Sequence, residues 1–229
     1  GVTEIEMRSK DLCISLKPRI SVAMCIDVGG SVTWSHEYNL NRAVKEFYNV
    51  LCSERNEEYD FELCIIAFSN KATLMQNFMP VEKNVPLPKL SVCSRKKHIG
   101  AGVNMALDML EQRKQEYKEV GIDYCQPWLV LITDGVPAGE DRKTTEKAIK
   151  RTRNLVLSRK LSVYPICIDS SVLPDFSPRC PLLYLRDTGN ATKNYLLISE
   201  NFEYIDSDYI DPDYIDPDWI SPPEPKGFE

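Results

Sequence analysis

Apolar positions along this chain follow two different periods. A compact run over residues 20–26 passes into Asp27, two glycines and Ser31. An apolar run of that length bounded by glycine predicts a strand buried on both faces of a mostly parallel sheet. Downstream, Leu40, Ala43, Val44, Phe47, Val50 and Leu51 recur at helical spacing, which predicts an amphipathic helix over 37–52 laid on that sheet. Residues 59–68 (YDFELCIIAF) predict the second strand and 72–78 the third. The turn Ser69-Asn70-Lys71 between them suits a hairpin, hence antiparallel pairing, and is too short for a crossover. Residues 81–90, with Pro86 and Pro88, read as a loop. A helix is expected over 102–117, a buried strand over 127–133, a long helix over 140–159, strands over 161–168 and 182–185, and a last helix over 188–201. Residues 1–18 are polar and amphipathic and read as an edge or lead-in segment. Alternating strands and helices imply βαβ units, and therefore an α/β fold: a doubly wound, mostly parallel central sheet flanked by helices on both faces. Ligands of such sheets sit beyond the carboxyl ends of the strands, which is where Asp27 stands.

Composition narrows the class. The 229 residues suit one domain, 1–203, followed by a tail, 204–229, and 43% hydrophobic with 27% charged residues is ordinary for a globular protein. No apolar stretch approaches the roughly 20 residues that span a bilayer, and no basic-then-apolar leader opens the sequence. None of the eight cysteines forms a C-x-x-C pair, and Cys25, Cys64 and Cys167 fall inside predicted strands. They read as buried free thiols in a reducing, cytoplasmic setting. The tail holds eight acids and one base, a net −7 of the chain's −6, so the body carries about +1. A nearly neutral body argues against a nucleic-acid binder, which would show a basic face.

Three segments carry candidate chemistry: Asp27-Val28-Gly29-Gly30-Ser31, then Gly100-Ala101-Gly102 leading into Val103-Asn104-Met105-Ala106-Leu107, then Ile132-Thr133-Asp134-Gly135-Val136-Pro137. With these spacings the chain resembles the von Willebrand factor A (VWA) domains over residues 19–200, and among them the bacterial TerY-type proteins of tellurite-resistance and stress operons. That family's metal-ion-dependent adhesion site uses D-x-S-x-S after the first strand, a threonine before a helix and the aspartate of T-D-G. The resemblance places Asp27, Ser31 and Asp134 at three of the five positions, with Gly29 where the first serine stands and Ala101 where the threonine stands. Mg²⁺ demands near-octahedral oxygen coordination, so with two oxygens missing the resemblance implies a Mg²⁺ site weakened or lost. It further implies a non-catalytic protein-interaction module, an adaptor with kinase, phosphatase or Ter-type partners.

Enzyme motifs are scarce. His36 and His98 are the only histidines, and no G-x-S-x-G elbow, Walker loop or dinucleotide fingerprint occurs. A metal-dependent hydrolase using Asp27 and Asp134 is the catalytic alternative. The tail repeats with period five, Tyr204, Tyr209, Tyr214 and Trp219 each preceding isoleucine, with Pro212 and Pro217 between acids. Proline and charge exclude a regular helix, so the segment is expected to be disordered in isolation. Aromatic anchors on an acidic strand suit docking onto a basic surface. The basic loop Arg95-Lys96-Lys97-His98 beside the strand-end site is the expected dock, for the tail of this copy or of a neighbour; self-assembly through the tail is the corresponding alternative function. Lys147, Lys150, Arg151 and Arg153 are expected on a solvated helix face.

Overall fold

The computed structural model describes residues 17–29, 34–53, 59–93, 95–133, 138–167 and 183–184. Residues 1–16 of the lead-in segment, the expected helix over 188–201 and the tail lie outside the described residues. Six strands form one sheet: β1 (Arg19–Asp27), β2 (Asp60–Phe68), β3 (Ala72–Pro80), β4 (Trp128–Thr133), β5 (Ser162–Cys167) and β6 (Leu183–Tyr184). Three helices are described, α1 (Trp34–Ser53), α2 (Ile99–Val120) and α3 (Arg142–Leu157). The sheet order is β3-β2-β1-β4-β5-β6, parallel throughout except for the antiparallel β2–β3 hairpin.

Every residue of β1 and β2 is buried, because each strand feeds two cores. Ile20, Val22, Met24 and Ile26 of β1 pack with Leu40, Val44, Phe47 and Leu51 of α1 on one face. Ala23 and Cys25 pack with Val103, Ala106 and Leu107 of α2 and with Ala148 and Val156 of α3 on the other. The chain runs outward from β1 to β2 and β3, then returns through α2 to place β4 on the opposite side of β1. The C-terminal ends of β1 and β4 therefore form the switch point where open α/β sheets bind ligands.

The opposite end of the sheet is locked by charge. Glu62, 2% exposed, accepts hydrogen bonds from Arg113 at 2.7 Å and from the Tyr117 hydroxyl at 2.6 Å. Arg19 pairs with Asp60 at 2.6 Å beside it. Buried charges are tolerated only when paired in this way, and the network fastens α2 to the starts of β1 and β2.

Helix α2 begins at Ile99, three residues before the position expected from sequence, so Gly100 is a helical rather than a loop residue, as Gly102 is. Each permits a close approach. A Cβ on Gly100 would lie 2.7 Å from the Thr145 Cα of α3, and one on Gly102 would lie 2.7 Å from the Phe68 ring. Glycine weakens a helix by about 1 kcal/mol relative to alanine, and here that cost is offset by close packing, against the α3 backbone at Gly100 and against the Phe68 and Cys25 side chains at Gly102.

Burial also sets an alkaline limit. Desolvation pushes the Cys25 and Cys64 thiols up and Cys125 to about 11, and burial followed by the Glu62 charge raises Tyr117. Unfolded thiols ionise near about 8.5, so the unfolded chain releases these protons first as pH rises. Stability is thus fully present below about pH 8.5 and is lost above it, by up to about 1.4 kcal/mol per pH unit for each such group. Urea unfolding between pH 7 and 10.5 is expected to show a constant midpoint up to about pH 8 and a steady fall beyond about 8.5; a flat profile would contradict this.

Candidate functional site

Asp27 closes β1 with its carboxylate turned inward, 2% exposed. Its Oδ1 accepts the Gly29 N–H at 2.8 Å and its Oδ2 accepts the Thr133 hydroxyl at 2.8 Å. Thr133 is the last residue of β4, so one carboxylate staples the two strands at the switch point. The first bond is a local turn in which an Asp side chain satisfies backbone two residues on. The second spans 106 residues of sequence.

A basic strap lies over these strand ends. The Cys93 N–H donates to the Val28 carbonyl at 3.2 Å, the His98 N–H to the Ser69 carbonyl at 2.7 Å, and Lys97 and Ala138 exchange a pair of backbone bonds at 2.9 and 3.1 Å. One short segment thereby touches the chain just beyond β1, β2 and β4. The His98 Nε2 lies 2.9 Å from the Gly139 carbonyl oxygen; that oxygen only accepts, so Nε2 carries the proton. Arg95 and Lys96 are exposed and Lys97 is half-buried. Gly29 is what admits the strap: a Cβ built there would collide with the Lys96 carbonyl oxygen and lie 3.1 Å from Asp27 Oδ1. Position 29 therefore has no room for a hydroxyl side chain while the strap is in place.

Ala101 sits within the first turn of α2 instead of in a loop ahead of the helix, the position sequence alignment suggested. Its N–H donates to Glu140 Oε1 at 2.7 Å, and the Gly100 N–H donates to Oε2 at 2.8 Å. The Thr145 hydroxyl completes the carboxylate's shell at 2.8 Å. The first N–H groups of a helix lack intrahelical partners and carry positive potential, and an internal acid satisfies both needs here. Just beyond, Asn104 and Asp108 of α2 receive Arg151 of α3, at 2.9 and 2.6 Å. Arg151 is thus a helix-pairing residue, contrary to the solvated face expected for it.

Glu140 and Thr133 were not singled out from sequence. The only signal was an acid pair, Glu140-Asp141, ahead of a helix, and it does not say that the first acid serves a different helix. Of the expected site residues, the fold brings together Asp27, Gly29, Lys96 and Lys97, with Ala101 joined through Glu140. Ser31, Asp134, Tyr204, Tyr209, Tyr214 and Trp219 lie outside the described residues. Among the described residues no group of three or more His, Cys, Asp or Glu could hold a metal. Each Asp27 oxygen accepts one protein donor, and positions 29 and 101 offer no hydroxyl, so of the five positions the resemblance names only Asp27 supplies an oxygen ligand among the described residues.

Two substitutions test this geometry. Gly29→Ser is expected to cost about 1–3 kcal/mol by overpacking against the strap, and Glu140→Ala about 1 kcal/mol by uncapping α2, both read from urea midpoints. A Gly29→Ser protein as stable as the parent would show that the strap does not press on this position.

No protein-family model matches the chain, and no curated protein matches it. Solved structures do. A von Willebrand factor type A structure from Catenulispora acidiphila aligns with a TM-score of 0.53 at 12% identity, covering 80% of this chain and 42% of that one. The VWA domain of SpRpn10 aligns with a TM-score of 0.50 at 14% identity, covering 79% and 94%. A mussel byssus protein, proximal thread matrix protein 1 with a zinc-occupied MIDAS motif, aligns with a TM-score of 0.50 at 12% identity, covering 81% and 48%. The chain spans less than half the length of the first and third. At such identities the likeness is one of architecture: the chain has a VWA-type fold.

Proposed function

We propose that this chain is a non-catalytic protein-interaction module that binds an acidic segment of a protein partner at its strand C-terminal edge, without a metal ion. The observation that carries the reading is the inward engagement of Asp27 by Gly29 and Thr133, with exposed Arg95 and Lys96 on the strap above it. An adhesion site that uses a cation lends positive charge to meet a partner's acid. Here arginine and lysine side chains supply that charge, and Arg is suited to bidentate carboxylate recognition. The zinc of the mussel protein belongs to that protein's site; Gly29 and Ala101 leave this one without two of the hydroxyls the resemblance calls for.

Hydrolysis through Asp27 is disfavoured on the same geometry. A general base must reach its proton with a free oxygen, whereas this carboxylate is buried with both oxygens hydrogen-bonded. The more specific role we propose, an adaptor in a TerY-type stress or tellurite-resistance complex with kinase, phosphatase or Ter-type partners, is supported by the strand-end segments at 27–31, 100–107 and 131–137.

Affinity capture with the full chain tests the reading. Recovery of the bound partner is expected to be the same in EDTA and in millimolar Mg²⁺. The double substitution Arg95→Glu/Lys96→Glu should weaken it at least about tenfold, or about 1.4 kcal/mol. Loss of binding in EDTA, or indifference to the charge reversal, would overturn it.

A further inference from the structure

Along α1, the helix and the segment that follows β3 line a groove of about 1230 Å³. Its two walls are fastened together. The Asn41 side chain donates to the Leu90 carbonyl at 2.8 Å and accepts the Leu90 N–H at 2.9 Å, a two-point clasp. The Tyr48 hydroxyl donates to the Glu82 carbonyl at 2.9 Å and accepts the Glu82 N–H at 3.0 Å. Val85 and Leu87 pack against the α1-side core. The groove is therefore preformed, and a ligand entering it does not have to order its walls.

The lining combines two chemistries. Tyr38, 56% exposed, and Pro86 offer apolar surface, and Lys45, Lys83 and Lys89 line the cleft against the single acid Glu37. Lys45 and Lys83 have no ion pair among the described residues, and Lys89, 81% exposed, reaches Glu37 only at 3.8 Å. A cationic cleft with aromatic and proline surface calls for an acidic segment bearing aromatic side chains. The chain contains one: residues 204–219, with acids between Tyr204, Tyr209, Tyr214 and Trp219. The strap at 95–98 also offers charge, but the aromatic and proline surface described for the groove is not among its residues.

Reach favours the chain's own segment. Residues 185–203 can span about 60 Å when fully extended and about 40 Å with the expected helix over 188–201, whereas a domain of this size has a radius of gyration of about 16 Å. Tethering then supplies an effective concentration in the millimolar range. Pro212 and Pro217 restrict the repeat to extended or turn conformations, which reduces what it loses on binding.

We propose that residues 204–219 dock in cis in the groove between α1 and the 83–89 segment, with their aspartates against Lys45, Lys83 and Lys89 and their aromatic rings against Tyr38 and Pro86. The groove's Glu37 end adjoins the strap through the Val92 N–H at 3.4 Å, but the dock uses Lys45, Lys83 and Lys89 rather than Arg95 and Lys96, so the two readings are tested by separate substitutions. This also relocates the dock from the Arg95–Lys97 loop expected from sequence.

Zero-length carbodiimide cross-linking, which joins carboxylates to amines in contact, tests the proposal on the full chain. An equal mixture of ¹⁴N- and ¹⁵N-labelled protein is cross-linked and mapped by mass spectrometry. The expected result is isotopically pure links from Asp206, Asp208, Asp211, Asp213, Asp216 or Asp218 to Lys45, Lys83 or Lys89. These links should fall at least about tenfold at 0.5 M salt, where the Debye length is only a few Å. They should fall as far at Lys45 in the Lys83→Glu/Lys89→Glu protein. Replacing Tyr204, Tyr209, Tyr214 and Trp219 by serine leaves every carboxylate and amine in place and should reduce them too. Links running chiefly to Lys96 or Lys97, isotopically mixed links, no links, or links indifferent to loss of the aromatic residues would each overturn the proposal.

Discussion

A missing side chain at position 29 governs the functional edge of this molecule. Because Gly29 has no Cβ, the Lys96 carbonyl settles onto the chain just past β1, and the strap that carries it can bond to residues beyond β1, β2 and β4 at once. Serine at 29 and a close strap are sterically exclusive. A hydroxyl there would require the strap to lift, and the links from Cys93 to Val28, His98 to Ser69 and Lys97 to Ala138 would have to rearrange with it. The strap's position in turn decides what the edge presents to a partner: exposed Arg95 and Lys96 above an Asp27 whose oxygens face inward.

The same internal closure is repeated at the neighbouring helix. The N-terminus of α2 is a natural receptor for an anion, and Glu140 fills it with a carboxylate that also receives Thr145. Together Asp27 and Glu140 tie β1 to β4 and α2 to the start of α3. Two acids at the strand-end edge are thereby spent on architecture. Among the described residues, the exposed charges on the strap above them are Arg95 and Lys96.

The fold was legible in the sequence because β1, β2 and β4 are buried on both faces and must be apolar almost throughout. Their observed limits differ from the sequence reading by about a residue, and the short Ser69–Lys71 turn correctly announced the antiparallel hairpin. The start of α2 lies three residues earlier than expected for a physical reason: Gly100 looks like a loop residue, and only its contact with Thr145 of α3 explains it as helical. The site was half legible. Asp27 and the basic strap could be located, but Gly29 read as a lost ligand when its structural effect is to make room for a backbone. Thr133 stands in the T-D-G segment, but its bond to Asp27 was not legible, and Glu140 gave no usable signal, since their partners lie 106 and about 40 residues away.

Amide NMR of the ¹⁵N-labelled full chain, titrated with Mg²⁺ to roughly 10 mM, tests the closed, metal-independent edge most directly. The predicted result is no saturable shift of the Gly29, Gly100 or Ala101 amides, each of which already donates to Asp27 or Glu140. Saturable, site-specific shifts of those amides at low-millimolar or lower Mg²⁺ would contradict it.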